Sequence, residues 1–321
     1  VTQRAFLIGM VGMCAATLSG QTQTPSFRSD ADAVTVNVSV KKSNVPVGGL
    51  TATDFRLFDN DVLQDVATVS VEAVPIDVSF VVDTSGIVSA DVDTMREAVR
   101  GMTEFLRPSD RFRVLTTGNA VVNAIPWRSA GVPDTSTIQP VPGEIALVMD
   151  SVFMALFHRT APDRRHLVVA LIFDDDWCSL VSGPSLARAA ARSGAVFHLI
   201  GMPRTPWQDG LKLFGPPLGA HALCRTTFNG GVDARPFLSE ATSVTGGTVR
   251  SAEFRAERAA VNAFDEIFDD FRRSYLLHYM PRGVERTGWH RLRVEMTTRG
   301  YTVRARPGYW ASADAPATPV R

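Results

Sequence analysis

Apolar and polar residues alternate from Val34 onward. Val34, Val36, Val38 and Val40 are separated by Thr35, Asn37 and Ser39, the two-residue period of a half-buried strand. Val47-Gly48-Gly49-Leu50 supplies a turn, Phe55–Asp61 reads as a strand running into a polar turn, and Val66–Val71 alternates again. Residues 34–73 are therefore expected to form a small antiparallel β unit. The texture changes at Val74. Ile76–Val82 is apolar except at Asp77 and Ser79, as in a strand covered on both faces. Ser89 can cap a helix that carries Val92, Met95, Val99, Met102 and Leu106 at helical spacing and ends at Arg107-Pro108. Strands are expected at 112–116, 120–125, 166–173 and 195–200, with helices at 145–157 and 186–192. Buried strands alternating with amphipathic helices predict a doubly wound α/β domain, 74–273, around a mostly parallel sheet.

Residues 201–236 break the rhythm with many Pro and Gly and read as a long irregular loop. A short helix at 237–244 and a strand near 246–249 follow. In the next helix Val261, Phe264, Phe268 and Phe271 share one face with Ile267 beside them, while Asp265, Glu266, Asp269, Asp270, Arg272 and Arg273 are expected on a solvated face. The alternating runs 275–280, 291–296 and 301–306 are expected to rejoin the first β unit as C-terminal strands (274–310), leaving 311–321 as a disordered tail.

Composition narrows the function. Hydrophobic residues make up 45% of 321, enough to bury a core, and Lys+Arg and Asp+Glu are both 33. With no basic excess, nucleic acid and anionic membranes are not expected partners. Residues 1–20 place Arg4 before the apolar run Ala5–Ala16 and end in small residues, the features of a secretory signal peptide, followed by a flexible leader at 21–33. Two other readings of that segment stay open, an uncleaved anchor and a lipoprotein joined through Cys14, and membrane contact is expected only through this segment. Met13 stands where a lipid-attachment box wants a small residue. A periplasmic or secreted protein would keep Cys178 and Cys224, which are either a disulfide or two free thiols.

Candidate chemistry lies where buried strands end in carboxylates: Val82-Asp83-Thr84-Ser85-Gly86 and Phe173-Asp174-Asp175-Asp176. In open α/β sheets ligands bind beyond the carboxyl ends of strands, at the switch point. Gathered carboxylates and hydroxyls suit Mg²⁺ or another hard divalent cation. Alternatively, Asp83 and Ser85 simply cap the next turn.

At these residues the chain resembles von Willebrand factor A-type domains, whose metal-ion-dependent adhesion site reads Asp-x-Ser-x-Ser. Over residues 34–310 it is similar to the acidobacterial-type VWFA-related proteins. Leu50–Phe55 with Phe58-Asp59-Asn60 resembles their N-terminal segment. Thr245-Gly246-Gly247, Tyr275–Tyr279 and Val303–Tyr309 resemble their C-terminal signatures. The resemblance implies Asp83, Ser85 and Asp174 as metal-site residues. It also implies a degenerate site, because the second Ser falls on Ile87 and the expected Thr falls around Glu144-Ile145-Ala146, where only Glu144 could substitute as a ligand, with Asp175 or Asp176 as a further helper. Ile87 supplies no oxygen and desolvates the site. The expected function is adhesion-type binding of a protein ligand through the upper rim: the Asp83–Ile87 loop, Gly143-Glu144, Asp174–Asp176 and the 201–236 loop. Trp127, Trp177 and Trp207 are either contact residues there or packed beneath their own loops.

No catalytic residues are expected. The six histidines show no paired metal spacing, and His198 and His278 fall inside apolar strand runs. Ser85 lacks a nucleophile-elbow pattern, and no G-x-G-x-x-G follows the first buried strand. Two other classes stay open: an exported α/β hydrolase or phosphatase using Asp83, and a purely structural envelope module.

Overall fold

The structure is a computed structural model. It describes residues 33–70, 74–85, 89–140, 146–158, 161, 163–173, 175–176, 178–202, 232–253, 256 and 258–311. The predicted signal and leader segments, the 201–236 loop except its first and last few residues, and the C-terminal tail lie outside them. Among the described residues no helix is long and apolar enough to cross a membrane.

The first stretch holds β1 (Val34–Lys42), β2 (Val45–Pro46), β3 (Phe55–Asp59), β4 (Val62–Gln64) and β5 (Val66–Ser70). The middle holds β6 (Ile76–Asp83), α1 (Ser89–Thr103), β7 (Arg111–Thr117), β8 (Val121–Ser129), α2 (Val148–Leu156), β9 (Arg165–Ile172), β10 (Asp175–Asp176) and α3 (Gly183–Arg192). It continues with β11 (Val196–Gly201), β12 (Val232–Asp233), α4 (Arg235–Thr245), β13 (Val249–Ser251) and α5 (Ala259–Arg273). The last strands are β14 (Tyr275–Tyr279), β15 (Gly288–Met296), β16 (Thr302–Ala305) and β17 (Gly308–Ala311).

The central sheet has the order β13-β11-β9-β6-β7-β8 and is parallel except for β8. Alternation along β6 explains both layers. Ile76, Val78, Phe80 and Val82 join a core with α1 and α5, where Phe80 meets Phe264 at 5.3 Å between ring centroids. Val81 turns to the other face and joins Val168, Ala170 and Phe197 under α2, α3 and α4. All eight residues of β6 are buried, so Asp77, Ser79 and Asp83 need partners inside the protein. At the turn after α4, Gly246 has φ +78°, and a Cβ on Gly247 would sit 1.7 Å from the Phe197 carbonyl oxygen. Only glycine fits that close approach.

Two antiparallel sheets lie beside this layer. In one, β1 pairs with β14 and β16, and β14 pairs with β5; in the other the order is β17-β15-β3-β4. Segments from the two ends of the described chain thus pair with each other. Val36, Val38, Leu57, Leu277 and Leu292 are fully or almost fully buried in one cluster drawn from both sheets.

The expected solvated face of α5 requires a correction. Asp270 and Arg272 are buried, not solvated. Asp270 accepts from Ser39 Oγ (2.6 Å), lies 3.2 Å from Lys41 Nζ and pairs with Arg304, tying α5 to β1 and β16. Arg272 pairs with Asp110, whose Oδ1 also accepts from the Ile76 amide (2.9 Å) at the start of β6. Charge periodicity alone could not separate these positions from Asp265 or Arg273, because burial here is set by neighbouring sheets rather than by the helix.

Candidate functional site

The strand order reverses at β6: the chain runs outward through β7 and β8, then returns to β9 on the other side. The crevice of such a sheet lies beyond the carboxyl ends of β6 and β9. Asp83 ends β6 there, aligned with Thr117 at the end of β7. Its Oδ1 accepts from the Ser85 amide (3.0 Å) and from Ser85 Oγ (2.6 Å). Its Oδ2 accepts from the Phe173 amide (3.2 Å), which bridges the switch point. Thr84 donates through both its amide and its Oγ1 to the Thr117 carbonyl, each at 3.0 Å. Asp83 and Ser85 are buried, at 0% and 3% exposure. The local turn predicted for these two residues and their position at the strand tip therefore coexist.

Asp176 has a different role from the ligand it was expected to help form. Its Oδ2 accepts from the Met149 amide (2.8 Å) and Ser179 Oγ (2.6 Å), and its Oδ1 from the Ser179 amide (3.1 Å). It thus holds the first turn of α2. Burial raises its pKa above the usual carboxylate value, and these hydrogen bonds oppose the rise only in part. Asp150 in the same turn accepts from the Leu180 and Val181 amides, so the loop after β10 is fixed to α2 from both sides.

Ile87, Glu144, Asp174, Trp177, Trp207 and Cys224 lie outside the described residues. Cys178 is disulfide-bonded. The described part of the site can be tested against a hard divalent cation. It offers one carboxylate whose two oxygens already accept local hydrogen bonds, the lone pairs of Ser85 Oγ, and Thr117 Oγ1, which is buried without a hydrogen-bond partner among the described residues. Mg²⁺ requires near-octahedral oxygen coordination. These three oxygen-bearing side chains do not fill such a shell by themselves, and the other expected ligands, Asp174 and Glu144, lie outside the described residues. Thr117 was not anticipated from sequence; the register of a strand ending in Thr116-Thr117 beside the acidic tip was the available signal.

Trp127 corrects the expected rim. Because β8 runs antiparallel to β7, with Arg128 opposite Phe112, Trp127 lies toward the amino end of the sheet, away from Asp83. There it packs on His158 (4.4 Å between centroids) and under the Arg113 guanidinium (5.0 Å). The neighbouring Asp77 accepts from Arg111 Nε and Nη2 (3.0 and 2.6 Å) and Arg164 Nε (2.6 Å). Burial alone would raise the Asp77 pKa, but the two guanidiniums outweigh it and hold the carboxyl below its usual range. Ser79 Oγ lies 3.0 Å from His166 Nε2 and accepts from Arg113 Nε (2.9 Å). Burial drives the His166 pKa down to about 3. With both side chains enclosed and the serine oxygen occupied by Arg113, the pair has the contacts of a core bridge, not of an open nucleophile and base.

No family profile matches the sequence, and no curated protein matches it either. Among solved structures the chain is similar to a von Willebrand factor type A protein from Catenulispora acidiphila, at 12% identity and TM-score 0.46, covering 90% of this chain and 76% of that one. It is similar to the manganese-loaded TRAP protein of Plasmodium vivax at 11% identity and TM-score 0.39, covering 75% and 95%. It is also similar to proximal thread matrix protein 1 from the mussel byssus, at 13% identity and TM-score 0.41, covering 66% of this chain and spanning 49% of that protein. Likeness at these levels adds nothing to the strand order, which by itself defines an open doubly wound α/β sheet with its crevice at Asp83.

Proposed function

We propose that this chain is a von Willebrand factor A-like binding module of the acidobacterial VWFA-related type, engaging a protein ligand through the rim at the carboxyl ends of β6 and β9. The observation that carries the reading is the position of Asp83-Thr84-Ser85 at the switch point of the sheet. The Asp83 carboxylate, which already accepts three hydrogen bonds from within the protein, supports contact that does not run through a bound cation, as does Ile87 in the Asp-x-Ser-x-Ser pattern. The adhesion site is on this reading degenerate, with Asp83, Ser85 and Asp174 retained and the ion lost. Export agrees with Arg4 ahead of the apolar run and with a disulfide at Cys178, a bond that persists in oxidising compartments. Cys224 is the partner that would remain once a signal segment was removed.

Calorimetry with Mg²⁺ and Mn²⁺ on the wild type and Asp83→Ala tests the metal half of the proposal. Equal heats are expected, and heat that depends on Asp83 would overturn it. An exported hydrolase or phosphatase is the competing class. Turnover of generic ester or phosphate substrates that disappears in Asp83→Asn would establish that class instead.

A further inference from the structure

At the opposite end of the sheet a cleft of ≈ 810 Å³ opens between the amino ends of β9 and β11 and the β1/β14 pair. Its walls follow from two periodicities. Alternation in β1 and β14 sends Val36 and Leu277 into their own core and turns Thr35, Asn37, Leu276 and His278 to the cleft. On α3, Ser185, Arg188, Ala189 and Arg192 recur at i, i+3, i+4 and i+7 and line the facing side. Phe153, Leu156 and Phe157 add an apolar wall.

The charge of this cleft is one-sided. Arg164, Arg165, Arg188 and Arg192 line it, and no Asp or Glu does among the described residues. Asp77 pairs with Arg164, leaving the other three without a carboxylate partner among those residues. Arg188 is held by Ser185 Oγ (2.9 Å), and Arg192 lies over the Trp310 ring (5.2 Å). Arg165 is the unusual one. It is 5% exposed, stacked 3.9 Å from the Phe271 ring centroid, and its Nη2 donates to neutral acceptors: the Phe271 carbonyl, Ser274 Oγ and Asn37 Oδ1. Its Nε and Nη1 are buried and have no hydrogen-bond partner among the described residues. A buried cation without a counter-charge is costly, and an anion close by offsets that cost. Burial correspondingly pulls the Arg165 pKa down to about 9.

We propose that this cleft binds a small amphipathic carboxylate, its anionic head drawn to Arg165, Arg188 and Arg192 and its apolar body against Phe153, Leu156 and Leu276. The volume suits such a ligand, as small-molecule pockets run from about 300 to 1,000 Å³. The site is independent of the rim reading, since it lies at the other end of the strands.

Isothermal titration of the full chain with octanoate, octan-1-ol and inorganic phosphate tests the proposal. Octanoate should bind, with the alcohol and phosphate each about ten-fold weaker or worse, because each lacks one half of the chemistry. Arg188→Glu/Arg192→Glu, both on the exposed edge of α3, should weaken octanoate by at least about ten-fold. Ala189→Trp should block the cleft without altering charge, and it decides the matter if the double variant does not fold. Asp83→Ala should leave octanoate binding unchanged. Absence of octanoate binding at millimolar concentration, equal binding of octanol, or undiminished binding in Ala189→Trp would each overturn the proposal.

Discussion

Replacing Asp77 by Asn tests whether the amino end of the central sheet is held by charge. The substitution keeps the shape and one acceptor oxygen, but it removes the charge and turns an amide toward guanidinium donors. Arg164, 13% exposed, donates at 2.6 Å, a charge-assisted hydrogen bond of roughly 1.5–3 kcal/mol. The Arg111 side chain is 40% exposed, so solvent screening reduces its bidentate contact to about 1 kcal/mol. The sum, roughly 2.5–4 kcal/mol, overlaps the low end of the cost of breaking a buried ion pair, about 3–5 kcal/mol. Asn recovers about 1 kcal/mol through its remaining carbonyl oxygen. The expected loss is therefore about 1.5–3 kcal/mol out of a typical total of roughly 5–15 kcal/mol. Urea denaturation at pH 7 measures it, and Arg164→Met with the double variant isolates the coupling. Because Asp77 is held below its usual pKa, its contribution is complete above about pH 4 and fades as pH falls through the folded value. The wild-type and Asp77→Asn curves should accordingly converge in acid. A loss within about 0.5 kcal/mol at pH 7, the size of an ordinary surface substitution, would refute the reasoning.

Three further outcomes concern buried titratable groups. Asp59 accepts from Tyr279 OH (2.7 Å) and Tyr309 OH (3.0 Å) and lies 2.8 Å from His290 Nδ1, so Asp59→Ala should cost at least about 3 kcal/mol in thermal or urea unfolding. Burial, with the Asp59 charge adding to it, raises both phenol pKa values, so stability they contribute is complete below about pH 10 and is lost as pH rises. Absorbance at 295 nm should show the two phenols ionising only with unfolding; reversible ionisation near pH 10 in the folded state would contradict the burial. Burial also depresses His166 to about 3 and His198 well below the usual value, and positive neighbours add to it. Their stability contribution is complete above about pH 6.5 and is lost as pH falls. Their imidazole proton shifts should stay flat from pH 8 to 5, and a midpoint near 6.5 in either would show a solvated ring.

The central layer was legible because period carries its own meaning. A run such as Ile76–Val82 has one stable setting, inside a sheet covered on both faces, and the apolar stripe of α5 has one core to face. Asp83 was legible for the same reason: a carboxylate that ends a buried strand has to lie at the sheet's edge. What stayed hidden depends on contacts across long sequence separation. Asp270 and Arg272 read as surface charges until β1, β16 and Asp110 are brought to them. Trp127 stayed open between a rim contact and packing beneath its own loop because nothing local says that β8 reverses and carries it to the far end. The row of arginines in the cleft comes from α3 and the start of β9, which only tertiary packing brings to one space.

The central claim, metal-independent engagement of a protein ligand at the rim, is tested most directly by quantitative capture from the periplasmic or secreted fraction with purified full-length protein. The bait is presented as wild type, as Ile87→Lys/Glu144→Lys in the segments proposed for the rim and as Arg188→Glu at the far end, each with and without chelator. The account predicts one captured protein that survives chelation, is retained by Arg188→Glu and falls by about ten-fold or more with the rim substitutions. Capture untouched by the rim substitutions, or abolished by chelator alone, would contradict it.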